Sequence, residues 1–165
     1  MTDPGAPLAF SYDRALAPPL WAFACIVALE LAVVHLLVGA LWSHVAAWVL
    51  SALSAATLVW VVLLIRSLRR LPVLVDESWV TMRVGRLKSV RISTAQIAGL
   101  RTSWPAEALK GRGVLNLALI NYPNVMLDLD PPLPARRYPL VAVAHRLDDA
   151  AAFVAVVQRL KDSPV

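Results

Sequence analysis

The chain has 165 residues, 59% of them hydrophobic and only 16% charged, with 16 Lys and Arg against 11 Asp and Glu for a formal net charge of +5. A mean hydropathy of +0.65 lies well to the apolar side of an ordinary soluble domain of this length, so a membrane segment is the first expectation. One cysteine, Cys25, excludes an intrachain disulfide framework and a cysteine-built zinc site.

Residues 1–17 form a tail carrying Asp3, Asp13 and a single basic residue, Arg14. From Leu20 to Ile65 the only Asp, Glu, Lys or Arg is Glu30, in a span broken by VGALWSHV, Val38 to Val45. A bilayer core of about 30 Å requires about 20 helical residues, so this region predicts two crossings, near Pro19–Ala40 and Val45–Arg66, within a transmembrane hairpin over residues 18–70. Pro18 and Pro19 suit a first helical turn, Gly39 suits a helix end, and Trp21, Trp42, Trp48 and Trp60 fall mostly toward segment ends, as interfacial rings do. The long apolar stretch, the weakly basic tail and the second apolar span argue against a cleaved signal peptide. RSLRR, Arg66 to Arg70, follows the second span while the turn Ala40 to His44 has no Lys or Arg. The positive-inside rule then places both termini in the cytoplasm, with these arginines suited to anionic lipid headgroups.

The stretch IVALELAVVH, Ile26 to His35, sets a carboxylic acid and an imidazole inside the first crossing. A charge at mid-bilayer costs roughly 2.5 to 3.5 kcal/mol on insertion scales, so Glu30 is expected to turn away from lipid or to stay neutral. At matching depth the second helix offers Ser51, Ser54, Ala55 and Thr57, small and hydroxylated residues that let helices approach and accept hydrogen bonds. Glu30, His35, Ser51 and Ser54 are therefore the candidate intramembrane polar contacts. Glu30 meets that face, a polar group on a partner membrane protein, or, in an oligomer, a proton or ion pathway.

After Pro72 the pattern changes to period two. Val73–Val75 and Trp79–Val84 read as strands, with Val80, Met82 and Val84 inward and Trp79, Thr81 and Arg83 outward. Gly85-Arg86 turns into LKSVRIS, where Val90 and Ile92 alternate with Lys88 and Arg91, and Gln96–Trp104 is a fourth strand. Asn121–Asn124 reads as a turn joining strands Leu115–Ile120 and Val125–Leu129 into a hairpin. A proline-rich break, Pro131 to Pro134, precedes a seventh strand in YPLVAVAHRL. Asp148 and Asp149 then open a final helix whose Phe153, Val156, Val157 and Leu160 form an apolar stripe at i, i+3, i+4 and i+7.

This order, a membrane hairpin, basic RSLRR, strands including VRISTAQIAGL and a last helix opened by RLDDAAAFVAVV, resembles bacterial membrane proteins with a pleckstrin-homology-like (PH-like) domain. The resemblance covers roughly Pro19 to Lys161. It implies an α+β membrane protein whose residues 71–165 form a cytoplasmic seven-stranded antiparallel β-barrel or sandwich capped by the C-terminal helix. It brings no catalytic residues. PH domains that bind phosphoinositides resemble one another in a basic first loop, whereas the matching loop here is DESW, Asp76 to Trp79, short and acidic. A weaker resemblance is to photosynthetic-complex assembly factors, without a pigment-binding motif here to carry it.

Arg66, Arg69, Arg70, Arg83, Arg86, Lys88 and Arg91 are the candidate contacts with the membrane surface or an acidic partner. No helix combines clustered arginines with base-reading polar residues, and no aromatic ladder accompanies the basic strands, so nucleic acid is not an expected partner. His35, His44 and His145 are far apart and lack paired-ligand spacing, GRG at Gly111–Gly113 opens no phosphate-binding helix, and no nucleophile elbow occurs. The expectation is a non-enzymatic scaffold or assembly module of the bacterial inner membrane, without metal or cofactor. Its partners are anionic headgroups and a membrane protein or further copies of itself. The alternative is a small proton- or ion-coupled transport subunit using Glu30 and His35.

Overall fold

The computed structural model describes residues 7–162; the first six residues of the predicted tail and the last three of the predicted C-terminal domain lie outside them. Two helices dominate the first half, α1 (Ala17–Leu41) and α2 (His44–Arg70), each long and apolar enough to cross a membrane. Pro18 and Pro19 sit in the first turn of α1, where a missing amide hydrogen costs nothing, and the Ser43 hydroxyl accepts the Ala46 N–H to start α2. Only 11% of the most apolar window of either helix is buried, and Ile26, Leu36, Val45 and Leu53 stand outward. A core helix of a water-soluble protein buries such residues. Ala24 and Val27 of α1 and Ala47, Ser51, Val61 and Ile65 of α2 make the buried seam, whose small members let the backbones approach.

The second helix was expected to end near Arg66, with RSLRR beyond it; instead α2 continues to Arg70. Ser67 and Leu68 are buried there because the following domain packs on the last turn, and Arg69 and Arg70 sit where the helix dipole favours cations.

Eight strands among the described residues make two four-stranded sheets. In the first, β1 (Leu8–Phe10), β2 (Val73–Val75), β3 (Trp79–Val84) and β4 (Lys88–Ser93) lie in sequence order and antiparallel. The sequence assigns Leu8–Phe10 to a tail, yet β1 pairs Leu8 with Val75 and Phe10 with Val73. The helical hairpin is thus an insertion between two neighbouring strands of one sheet. Val80, Met82 and Val84 face inward as expected, all at most 1% exposed.

The second sheet runs β5 (Ile97–Arg101), β7 (Val125–Leu133), β8 (Leu140–His145) and β6 (Val114–Asn116). The hairpin expected from Leu115–Ile120 and Val125–Leu129 does not form: β6 pairs parallel to β8, which separates it from β7. Two local features account for this. Leu119 takes a positive φ of 53°, which stops the strand after Asn116 and Leu117, and Asn124 exchanges side-chain hydrogen bonds with the backbone of Leu147, drawing the segment to the end of β8. Pro131 and Pro132 lie within β7 rather than after it, at a register shift between Asp128 and Leu133 where no ladder N–H is required, and Pro134 follows the strand.

The two sheets share one core and do not close into a seven-stranded barrel. Val73, Val80, Met82 and Ile92 from the first meet Leu127, Leu129 and Val143 from the second, together with Phe153 and Val157 of α3 (Ala150–Asp162). Asp149 caps α3 by accepting the Ala152 N–H at 2.9 Å, and Phe153 packs edge-on to Phe10 at 5.3 Å. Leu16 and Leu68, at the base of the hairpin, belong to the same core, so helices and sheets are continuous.

Candidate functional site

The junction between hairpin and sheets is built on Tyr12, fully buried in the connection from β1 to α1. Its hydroxyl donates to the Leu71 carbonyl at 2.8 Å and accepts the Gly85 N–H at 2.7 Å, tying the start of α1, the end of α2 and the β3–β4 turn to one atom. Gly85 has φ +48°, and a Cβ there would fall on the Ser67 hydroxyl of α2, so the turn needs glycine both for its backbone and for its approach to the helix. Nearby, Asp13 pairs with Arg69 at 3.3 Å, the Asp148 carboxylate accepts the Arg14 N–H, and Asn121 donates to the Ala15 carbonyl.

His145 lies under Tyr12, ring centroids 4.9 Å apart, with no exposed surface. Its Nδ1 accepts the Arg146 N–H at 2.7 Å and its Nε2 faces the Arg83 carbonyl at 3.0 Å, a set of partners that suits the neutral ring protonated at Nε2. Burial holds its pKa below the usual histidine value, against the opposing pull of the Arg83 and Arg146 carbonyls, and burial likewise pushes the Tyr12 phenol up. This histidine holds the fold at the junction; the sequence offered only its isolation.

Beside the junction is a cleft of about 580 Å³ between the last three turns of α2 and the β3–β4 turn. On the α2 side it is lined by Trp60, Leu63, Leu64, Arg66, Ser67, Arg70 and Leu71, and on the side of the turn by Arg86 and Leu87, so apolar and basic residues share one space. All three arginines are exposed, and none is in an ion pair among the described residues. The basic set expected from the sequence therefore divides. Arg69 turns to Asp13 on another face, Arg91 stacks over Trp79 at 4.5 Å, and Arg83 is half-buried with its carbonyl on His145. Lys88 is exposed at the start of β4, opposite Val84. The apolar part of the lining was missed, although Leu63, Arg66, Ser67 and Arg70 follow helical spacing once α2 is drawn through Arg70.

In the hairpin, His35 rather than Glu30 takes the polar face of α2. Its Nδ1 lies 2.8 Å from the Ser51 hydroxyl and its ring meets Trp48 edge-on at 5.1 Å. Ser54 is half-buried and makes no side-chain hydrogen bond among the described residues. Glu30 stands exposed on the outer surface of α1, with no hydrogen bond or ion pair among the described residues. The helical repeat explains the difference. Val27, Leu31, Val34 and Val38 define the inward line; at about 100° per residue Glu30 and His35 fall about 70° to opposite sides of it, and Ser51 of α2 lies on the His35 side.

No family model matches this chain, and comparison with characterised proteins and with solved structures likewise finds no match.

Proposed function

We propose that the chain is a membrane-anchored, non-catalytic interaction module. A PH-like pair of sheets is held on the cytoplasmic surface of a bacterial inner membrane, while the hairpin docks a membrane-protein partner or a second copy through Glu30. The carrying observation is the place of Glu30: near the middle of α1, exposed, and without a partner in its own chain among the described residues. A carboxylic acid directed at lipid is expensive, and a polar group on another transmembrane helix relieves that cost. Two further features support the reading. The pairing of β1 with β2 returns both ends of the hairpin to the same side, and Arg69 and Arg70 lie at that end of α2, as cytoplasmic ends do. Two sheets followed by a covering C-terminal helix also agree with the PH-like resemblance.

A proton- or ion-coupled subunit is the competing reading. Glu30 and His35, five residues apart, point about 140° apart around the helix, so one hairpin cannot relay between them. The test compares Glu30→Leu with Glu30→Gln in the full chain by in-membrane cross-linking and native mass spectrometry. Loss of a defined complex in Glu30→Leu by tenfold or more, with the hairpin and sheets still folded and Glu30→Gln still assembled, is the expected result. An unchanged complex in Glu30→Leu overturns the proposal. Proton flux in proteoliposomes that Glu30→Gln abolishes while assembly persists replaces it with transport.

A further inference from the structure

We infer that the juxtamembrane cleft is a binding site for one anionic phospholipid of the bilayer that the hairpin crosses, with its phosphate held by Arg66, Arg70 and Arg86 and its first acyl methylenes against Trp60, Leu63 and Leu64. This rests on the membrane-anchored reading but not on any role of Glu30.

The chemistry of the walls selects the ligand class. Three guanidinium groups line one space with no carboxylate among its lining residues, which makes it attractive to an anion. Arginine's fixed fork of donors matches phosphate oxygens in pairs. The rest of the lining is aliphatic and aromatic, which a small free anion leaves exposed to water but an amphiphile covers.

The order of the residues along α2 gives the ligand its direction. From Trp60 to Arg70 the helix rises by about 15 Å. The apolar residues come first, on the side of the membrane span, and Arg66 and Arg70 come last, where the helix leaves it. Half of the difference between a total bilayer thickness of about 40 to 45 Å and a core of about 30 Å leaves about 5 to 7 Å for each headgroup layer, so the cleft spans that layer and the upper hydrocarbon together. Arg86 comes from the domain, not the hairpin, and its position is fixed because Gly85 is clamped between Tyr12 and Ser67. A bound phosphate therefore bridges the membrane helix and the first sheet.

The experiment is native mass spectrometry of the detergent-solubilised full chain, titrated separately with phosphatidylglycerol, phosphatidylcholine and inorganic phosphate. Phosphatidylglycerol is expected to bind with one-to-one stoichiometry, and Arg86→Gln and Arg66→Gln each to weaken it by about fivefold or more, the scale of one cation at an anionic surface. Arg69→Gln removes the same charge from a residue already paired with Asp13 and is expected to change binding by less than twofold. Equal loss in Arg69→Gln and Arg86→Gln shows diffuse attraction and overturns the site. So does phosphatidylcholine binding as tightly as phosphatidylglycerol. Inorganic phosphate competing on equal terms with the lipid assigns the arginines to a free anion and also overturns it. A chain that stays monodisperse without detergent instead defeats the membrane reading itself, which separates the two failures.

Discussion

Replacing Tyr12 by Phe removes one oxygen and almost no volume. The structure makes that oxygen the shared partner of the Gly85 N–H at 2.7 Å and the Leu71 carbonyl at 2.8 Å. A buried backbone group left without a partner costs about 1 to 3 kcal/mol. Gly85 is buried and bears the full penalty, whereas Leu71 is half-buried and water can reach it, so the sum is set at about 2 to 4 kcal/mol. A global unfolding free energy is poorly defined for a chain that combines apolar helices with sheets, so local opening is the better observable. Hydrogen exchange of the full chain in micelles, read on a peptide covering residues 83–88, should accelerate by about thirtyfold or more, the equivalent of about 2 kcal/mol. Peptides in β7 should change little. Acceleration below about threefold at Gly85 would refute the idea that one hydroxyl clamps the turn to the hairpin.

Gly85→Ala should open the same turn, because alanine resists φ +48° by about 1 to 2 kcal/mol and its methyl meets Ser67. Adding Ser67→Ala should recover part of the loss in the exchange assay, and no recovery would place the whole effect in the backbone. Stability of the sheets should fall on acidification, since burial lowers the pKa of His145 in the folded chain while the unfolded chain takes up its proton near the ordinary histidine value of 6.5. The contribution is complete above that value and declines below it, with a slope of at most about 1.4 kcal/mol per pH unit. The groups facing the ring are the Tyr12 ring, the Arg83 carbonyl and the Arg146 backbone. The opening free energy of β8 amides, read by hydrogen exchange from pH 8 to pH 5 and corrected for intrinsic rates, should show this slope in wild type and not in His145→Gln; the same slope in both removes His145 as the cause.

The hairpin was legible because Glu30 alone interrupts the run of uncharged residues from Leu20 to Ile65, long enough for two apolar helices. Strands β2, β3 and β4 were legible because Val80, Met82 and Val84 alternate with polar neighbours, and α3 because its stripe and its Asp149 cap agree. What was not legible is long-range pairing. Three residues of β1 carry no measurable period, and their partners lie more than 60 positions away, beyond the hairpin. The parallel placement of β6 depends on Asn124 reaching Leu147, and LNLALI itself does not alternate as a hairpin strand should. Arg66, Arg70 and Arg86 were named without their common cleft, since Arg86 reaches it through a turn whose position is set by Tyr12. The orientation of Glu30 followed a helical line that is defined only once the packed residues are known.

The first sheet draws its edge strand from upstream of the hairpin and its remaining strands from downstream. During synthesis Leu8–Phe10 leaves the ribosome before its template Val73–Val75 exists, so this edge closes only after the whole hairpin has been made. Until then β2 has a bare edge and Phe10 lies apart from Phe153, the kind of exposed strand that invites pairing with other chains. Closure of the first sheet is therefore a late event that depends on the whole length of chain between its first two strands.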